Sequence, residues 1–346
     1  MAGKRQHFIP RFLQRGFSIE KNGKYFSCLC KKESIKENIS IENIGLENYF
    51  YTSNNDFSID DKITKQETHI YSGIIKKLLD RSFSLDDKVA ISDFIYHMEI
   101  RTRSLRSNFT RSASYLTNQL KIRLLSKESI SRYFERNIVN VPLKLDALIR
   151  EEIDKLSIPP LIHQEIKQNI LDNIHIYLPN IASDISMKLI PEFEKMIDSG
   201  IAEVAKKGHL KGILSDFSLK KEEYQKLNYI IIKTDQPLIL GDCIVIFEVK
   251  GIRKFKPFYE KDDNLQSVFM PLDSYTLLCG AKNPEDKPNI DELNFVIAKC
   301  STDFFICESY TPKLDELRQL IGDNSYFLTN DDIDKIIESM INDALE

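Results

Sequence analysis

No run of apolar residues in this 346-residue sequence is long enough to span a membrane, since a transmembrane helix needs about 20 such residues. The first residues are basic, but no apolar segment of the kind found in secretory signal peptides follows them. A protein that stays in the cytosol keeps its cysteines reduced. We therefore expect a cytoplasmic protein with no membrane partner and with six free thiols.

The sequence also lacks the short motifs that mark several common enzyme classes. It has no glycine-rich phosphate-binding loop, no Gly-x-Ser-x-Gly segment and no His-Glu-x-x-His segment. These absences exclude the usual nucleotide-binding, esterase and zinc-protease interpretations. With 48 basic and 52 acidic residues the net charge is −4, so any contact with nucleic acid requires a local basic patch.

The cysteines form one close pair in the sequence, Cys28 and Cys30. A single residue between two cysteines does not match the spacing of a zinc knuckle, and no second pair of Cys or His residues complements it. We interpret the two cysteines as small residues on one face of a strand.

Secondary-structure patterns predict an α+β fold, built as three successive blocks of a single domain. Residues 1–58 contain a small β hairpin, because Asn22-Gly23 is a strong turn signal between two apolar segments, followed by loops and one short strand. Residues 59–207 show helical periodicity nearly throughout. Residues 208–346 contain short apolar segments bounded by turn residues and end in helices. We expect the N-terminal hairpin to join a mixed or antiparallel C-terminal sheet.

Two finer predictions concern individual elements. Pro179 is expected to end a helix that begins near Leu161, because proline lacks the backbone N–H that a helix interior uses. The apolar run at residues 295–298 is expected to form a short strand.

The first seventeen residues are the segment around which we expect a site to form. They place His7 among four cations and five large apolar side chains, namely Lys4, Arg5, Arg11, Arg15, Phe8, Ile9, Phe12, Leu13 and Phe17. Such a segment is too apolar for a solvated tail and too cationic for a plain core, so we predict that it docks on the rest of the protein. A histidine beside a fixed cation suits acid–base catalysis on an anionic substrate. The alternative is that His7 and Arg11 hold the segment to a carboxylate as structure.

The helix around Arg101 carries a local positive zone that also includes Arg103, Arg106 and Arg111. The planar guanidinium group of arginine binds phosphate or carboxylate through two parallel hydrogen bonds. Arg101 and Arg106 are therefore candidate substrate-binding residues. The alternative is a solvated helix whose arginines form surface ion pairs.

Carboxylates in a strand-rich stretch form a candidate metal site. Asp235, Glu248 and Lys250 follow the Asp…Glu-x-Lys pattern of metal-dependent nucleases, in which the acids bind Mg²⁺ and the lysine orients water. Asp242 follows Gly241 at the end of an apolar run, where a carboxylate is solvated, paired or functional. The plain alternative is that Glu248 and Lys250 alternate as exposed residues on an amphipathic strand.

Two further polar residues complete the candidate set. Glu67 lies near the start of a helix, where the helix dipole favours an acid, and it is a potential partner for the arginines. Asn294 precedes an apolar run and is able to donate or accept a hydrogen bond at a buried turn.

Three segments together follow the order of motifs in a known bacterial family. The opening segment has His7, Pro10, Arg11 and Phe17, and Glu67 follows at the head of a helix. Residues 101–106 read Arg-Thr-Arg-Ser-Leu-Arg, and residues 238–245 read Leu-Ile-Leu-Gly-Asp-Cys-Ile-Val. The chain resembles domain-of-unknown-function family 4238, whose members open with His-x-x-Pro-Arg and later carry Arg-Thr-Pro-x-x-Arg and Phe-Ile-Thr-Ser-Asp-Asn-Pro-Val.

This chain departs from the family pattern at several positions. Arg103 stands in place of proline, Gly241 in place of serine, and Cys243-Ile244 in place of Asn-Pro. The resemblance supplies positions rather than a reaction, because the family is one of unknown function. It implies that Asp242, rather than Asp235, is the important carboxylate.

These observations lead to one functional hypothesis and one alternative. The hypothesis is a phosphodiester-cleaving hydrolase, in concrete form a toxin-like bacterial nuclease of phage defence, with Mg²⁺ as cofactor on Asp242 and Glu248. In it His7, Glu67 and Asp242 are catalytic, with His7 as the acid or base. The substrate-binding residues are Arg11, Arg101, Arg106 and Asn294. The alternative is a non-enzymatic module that binds nucleic acid or a partner protein of the same system and whose polar residues form a structural network.

Overall fold

The computed structural model describes residues 4–52, 56–156, 159–215, 218–260, 262–283 and 288–345. The chain divides into two compact units, of which the first comprises Met1–Thr110 and Val204–Thr329 and the second Arg111–Glu203 and Asn330–Glu346. That the whole chain is a single domain stays a prediction. None of the helices formed by the described residues is both long and apolar enough to cross a membrane.

The elements confirm the α+β class, with an N-terminal hairpin, a helical middle, and a C-terminal region of strands and closing helices. In chain order the strands are β1 (Arg5–His7), β2 (Ile19–Lys21), β3 (Lys24–Lys31), β4 (Ser34–Ser40), β5 (Leu46–Asn48), β6 (Asn228–Lys233), β7 (Leu240–Gly241), β8 (Ile246–Lys250), β9 (Phe255–Lys256), β10 (Asn264–Asp273), β11 (Thr276–Ala281) and β12 (Phe304–Cys307). The α-helices are α1 (Arg11–Arg15), α2 (Ser58–Gln66), α3 (Ser72–Leu79), α4 (Lys88–Ile100), α5 (Arg103–Leu124), α6 (Lys127–Phe134), α7 (Pro142–Lys155), α8 (His163–Leu214), α9 (Ser218–Gln225), α10 (Ile290–Cys300), α11 (Lys313–Gln319) and α12 (Asn330–Leu345). A π-helical turn, Glu67–Tyr71, connects α2 to α3, and a second one, Glu135–Val139, follows α6.

The strands of the first unit pair into antiparallel sheets. One sheet has the order β6-β11-β10-β8-β9, and another has the order β2-β3-β12-β7 with β4 also paired to β3. β1 and β5 form a separate two-stranded pair. The N-terminal hairpin therefore joins a C-terminal strand, as predicted, because β3 pairs with β12 in a register that sets Cys28 opposite Cys307.

The opening segment docks on the first unit, as the sequence predicts. Phe8, Leu13 and Phe17 are completely buried in its hydrophobic core. At the end of α1 the chain passes so close to β10 that a β-carbon on Gly16 would lie 2.5 Å from the carbonyl oxygen of Leu272. The backbone N–H of Ser274 donates to the Gly16 carbonyl over 2.9 Å, which fixes this approach.

Two sequence predictions about elements were wrong. Helix α8 continues through Pro179 and Pro191. A proline inside a helix removes one backbone N–H donor, and this helix of 52 residues tolerates that loss at both positions. Residues 295–298 belong to helix α10 rather than to a strand. Its buried Leu293 and Ile297 are four residues apart, which is a helical spacing, but a short apolar run alone does not distinguish helix from strand.

The second unit is helical and has a small core of its own. Leu145, Ile149 and Ile153 recur every four residues along one face of α7 and are buried. Isoleucines of α8, among them Ile166 and Ile170, pack against them. This is the pattern that places one apolar stripe of a helix against another.

The close approach of Gly16 to β10 gives a test of how the opening segment is held. We expect Gly16→Ala to lower the free energy of unfolding by about 1–3 kcal/mol, because the added methyl group forces backbone apart. The matched control is Gly73→Ala in α3, where a β-carbon meets nothing within 4 Å and alanine should add about 0.5–1 kcal/mol. Urea unfolding of both variants measures the difference, and equal stability of the two would contradict the packing described here.

Candidate functional site

His7 is placed by strand β1, whose pairing with β5 sets it opposite Leu46. The neighbouring Gln6 anchors the strand from inside. Its side-chain oxygen accepts a hydrogen bond from the backbone N–H of Tyr51 over 2.6 Å, and its amide nitrogen donates to the Thr52 hydroxyl over 2.8 Å. Pairing with β5 and the buried side chain of Gln6 therefore fix the backbone of His7 independently of any contact of its imidazole ring.

Arg101 follows the last residue of α4, and its guanidinium group is almost completely buried. It donates to the backbone carbonyl of His7 over 2.7 Å and to the hydroxyl of Tyr51 over 3.3 Å. It also forms an ion pair with the Glu67 carboxylate. A buried cation needs such a counter-charge, since an unpaired one is strongly destabilising. Arg101 thus ties the opening segment to α4 through its own hydrogen bonds.

The π-helical turn Glu67–Tyr71 supplies side chains that contact His97 of α4 and Arg101, which follows α4. It directs Glu67 to Arg101 and sets the ring of Tyr71 5.0 Å from that of His97. The Nε2 atom of His97 is buried and has no hydrogen-bond partner in the described part of the chain. Burial lowers the pKa of His97 well below its usual value, and the charge of Arg101 lowers it further. π-Helical turns occur frequently at functional sites, and this one connects four polar side chains.

The ring of His7 is partly buried beside this cluster. Its Nε2 atom is shielded from solvent and has no partner among the residues that the structure describes. Burial lowers the pKa of His7 to about 4, the positive charge of Arg11 lowers it further, and a hydrogen bond with the backbone of Ile41 opposes both. Arg101 and Arg5 add smaller contributions of the same sign as Arg11. His7 is therefore a neutral imidazole at neutral pH.

Arg5 and Arg11 lie at the surface beside this imidazole. Arg11 is about half exposed and lies 4.0 Å from the Glu42 carboxylate. Arg5 donates to the Glu42 carbonyl over 3.0 Å and to the Asn43 side chain over 2.6 Å. Both guanidinium groups keep donors that face solvent, because each has five N–H groups. The surface around His7 is a small basic patch on a chain of negative net charge.

Arg106 is engaged inside the protein. Its Nη2 atom donates to the Phe50 carbonyl over 2.7 Å, and its guanidinium group lies 3.7 Å from the centre of the Phe50 ring. It also donates from Nε to Nδ1 of His209 over 3.2 Å, while Nε2 of His209 lies 2.7 Å from the Ile100 carbonyl. Burial lowers the pKa of His209 to about 3, and the charge of Arg106 contributes. His209 is thus a neutral acceptor for Arg106.

Asp242 lies just after β7 and is buried. Its carboxylate accepts backbone N–H groups from Thr302 and Asp303 over 2.7 Å each and from Phe304 over 3.3 Å. Burial raises the pKa of Asp242 to about 7, against the opposing effect of these hydrogen bonds. The carboxylate therefore shapes the loop that leads into β12. That loop carries Asp303, whose own carboxylate lies 3.1 Å from Arg103.

Glu248 and Asn294 have partners of their own. Glu248 forms an ion pair of 3.1 Å with Lys254. The side-chain oxygen of Asn294 accepts the N–H of Ile239 over 3.1 Å, and its amide nitrogen donates to the Pro237 carbonyl over 2.9 Å. Asn294 therefore secures the approach to β7. A magnesium site on Asp242 and Glu248 stays a prediction.

The structure joins part of the predicted set by direct contacts. His7, Glu67 and Arg101 meet around Tyr51, with Arg11 at the surface beside them. Arg106 and Asp242 are linked through intermediate residues. Glu47 lies 3.9 Å from Arg106 and 3.4 Å from Arg103. Arg103 in turn lies 3.1 Å from the carboxylate of Asp303, whose backbone N–H donates to Asp242. The sequence interpretation missed Gln6 and the hydroxyl of Tyr51. The only signal for either residue was its position. Gln6 is next to His7, and Tyr51 belongs to the aromatic run Tyr-Phe-Tyr at residues 49–51.

The hydrogen bonds of Asp242 predict the effect of removing its charge. Asp242→Asn should lower the free energy of unfolding by about 1–3 kcal/mol, because the amide presents N–H groups to backbone donors and leaves them unsatisfied. Asp235→Asn, at an exposed position nearby in the sequence, is the control and should have little effect. Chemical denaturation of both variants decides the point, and an unchanged midpoint for Asp242→Asn would count against a structural role.

The buried histidines predict that acid destabilises the fold. His7 and His209 have folded-state pKa values of about 4 and about 3, whereas unfolded histidine titrates near 6.5. As the pH falls below about 6.5 the unfolded chain binds protons that the folded chain does not, so stability decreases by about 1.4 kcal/mol per pH unit for each buried histidine. Above pH 7 stability should be flat with respect to these groups.

Denaturant titrations between pH 8 and pH 4.5 measure this slope. His209→Gln should reduce it, and His69→Gln, at an exposed position, should leave it unchanged. Asp242, whose pKa is raised to about 7, contributes a slope of the opposite sign in the same range, so the comparison between variants decides the point. An equal slope for wild type and His209→Gln would show that His209 titrates normally.

Comparison with known proteins identifies a family for this chain but no characterised relative. No curated protein and no solved structure is significantly similar to the chain. The model of one family, described as a protein of unknown function (DUF4238), matches residues 5–343. This range includes every residue of the site and nearly the whole chain. The protein therefore belongs to the family DUF4238.

Proposed function

We propose that this protein hydrolyses phosphodiester bonds, with His7 as the general base. The observation that carries the proposal is the His7 ring, which is neutral, has an unpaired Nε2 atom in the described structure, and lies beside two surface arginines. A base must be deprotonated before the reaction and must have a free lone pair to receive the proton. The same ring surrounded by cations is suited to a substrate that carries negative charge.

The surface arginines are the groups suited to holding the substrate. Arg5 and Arg11 have exposed guanidinium donors, the kind of group that binds phosphate oxygens. A phosphate bound there neutralises the cations that hold down the pKa of His7, so binding raises that pKa towards the range in which proton transfer is efficient. The substrate thereby activates its own base.

The buried residues then act through His7. Arg101 fixes the His7 backbone, and Glu67 balances the charge of Arg101. The Nε2 atom of His7 is shielded from solvent in the free protein, so the reaction requires that it be uncovered at the bound substrate. His7 then takes a proton from an attacking water molecule, a bond forms between that oxygen and phosphorus, and the bond from phosphorus to the leaving oxygen breaks. The leaving oxygen receives a proton from the His7 imidazolium, which restores the neutral base. Arg5 and Arg11 stabilise the charge that develops on the phosphate oxygens. A Mg²⁺ ion held by Asp242 and Glu248, as proposed from the sequence, would add Lewis-acid assistance.

One observation favours a second function, binding without cleavage. Arg101 and Arg106 direct their hydrogen bonds to groups inside the protein, which is what a structural network requires. Arg5 and Arg11 then bind the backbone of a nucleic acid through charge alone. In either form the biological setting we propose is a bacterial defence system in which the protein attacks or senses nucleic acid.

The test compares wild type with His7→Gln and with the exposed control His69→Gln. Each is incubated with end-labelled single- and double-stranded RNA and DNA, once with Mg²⁺ and once with a chelator. We expect wild type and the control to cleave at least one substrate, and His7→Gln to lose at least about 100-fold in rate. Thermal unfolding of all three checks that the loss is not a loss of fold.

The same panel separates the two functions. Binding by wild type that falls steeply with salt, without cleavage of any substrate under either condition, would favour the binding module and reject the hydrolase. Arg11→Ala should weaken substrate binding in both cases, since it removes one contact with phosphate. Neither binding nor cleavage by wild type would reject both functions.

A further inference from the structure

Three cysteines from different parts of the sequence come together at one face of a sheet. Cys28 and Cys30 are two apart on β3, so they point to the same side, and the strand register puts Cys307 of β12 directly opposite Cys28. All three are buried. Their sulfur atoms lie within 4.8 Å of one another, and those of Cys28 and Cys30 are 3.9 Å apart.

This spacing suits a bound metal ion. Thiolate ligands bind zinc at about 2.3 Å in tetrahedral directions, which separates two sulfur atoms by about 3.8 Å. In the described part of the chain these cysteines are the only group of at least three Cys, His, Asp or Glu ligand atoms so close together. We propose that Cys28, Cys30 and Cys307 form a binding site for Zn²⁺.

Charge favours a divalent ion over a monovalent one. Three thiolates and Zn²⁺ leave a net charge of −1, whereas three thiolates and Cu⁺ leave −2, and the cost of burying charge grows steeply with its size. The smaller net charge therefore favours Zn²⁺ at this buried position. Binding releases the three thiol protons to solvent, because the thiolate is the ligand.

A fourth ligand is available from solvent. Cys307 lines a cavity of about 290 Å³ together with Ser309, Leu314 and Asn294. Three protein ligands with an open position for water is the arrangement of catalytic rather than structural zinc sites. A water molecule from the side of this cavity is the fourth ligand that the proposal requires.

The experiment uses the full chain, kept reduced with a phosphine, stripped of metal by a chelator and dialysed against ZnCl₂. We expect about one zinc per chain by atomic emission, and a higher unfolding temperature with zinc than without it. Cys30→Ala should bind zinc at least about tenfold more weakly. Cys279→Ala, which removes a buried cysteine of another sheet, should bind like wild type.

Cobalt provides a measurement that needs no variant. Co²⁺ added to wild type should give an intense near-ultraviolet charge-transfer band, with an intensity expected for about three thiolates per metal ion. Absence of the band, zinc content well below one per chain, or equal binding by Cys30→Ala would overturn the proposal. A disulfide between cluster cysteines that persists in the phosphine and blocks zinc binding would overturn it as well.

Discussion

The burial of the Arg101 charge is the constraint on which the arrangement around the site depends. A guanidinium group removed from water needs an opposite charge and acceptors for its N–H groups, and removing one partner of such a pair costs about 3–5 kcal/mol. Glu67, the carbonyl of His7 and the hydroxyl of Tyr51 meet this need. Since these groups come from a π-helical turn, the opening strand and the loop after β5, one side chain fixes three segments relative to α4.

The same constraint decides which arginines remain for a substrate. The sequence singled out Arg101 and Arg106 because a guanidinium group recognises phosphate, but both are committed to carbonyls and rings of the interior. Arg5 and Arg11, on the opening segment, keep exposed donors. An anion that binds to Arg5 and Arg11 binds to the segment that Arg101 holds in place. One pair of arginines is therefore available for a substrate, and the other pair, Arg101 and Arg106, stabilises the structure around it. Burial of the His7 ring is the main reason for its low pKa, and the charges of Arg11, Arg101 and Arg5 around it act in the same direction.

Local signals in the sequence predicted what depends on neighbours along the chain. The Asn22-Gly23 turn, the docking of the opening segment through Phe8 and Leu13, and the helical periodicity of the middle all appear in the structure. Contacts that depend on distant backbone could not be predicted. The partners of Asp242 are backbone N–H groups some sixty residues away. Every residue except proline has such a group, so the sequence does not indicate which ones bind the carboxylate. The prediction of a strand at residues 295–298 was wrong for a related reason. A run of four apolar residues is compatible with the two-residue period of a strand and with the 3.6-residue period of a helix.

The cysteines are a further case in which contacts between residues far apart in the sequence could not be predicted. The spacing of Cys28 and Cys30 argued against a zinc site because spacing rules describe ligands that one short segment supplies. The third thiol, Cys307, lies 279 residues from Cys28 and reaches it only because β12 pairs with β3. A metal ion held by all three would therefore bridge β3 and the last strand of the chain, β12. Closing so long a loop costs the unfolded chain several kcal/mol of entropy, so such an ion would stabilise the strand pairing that assembles its own ligands.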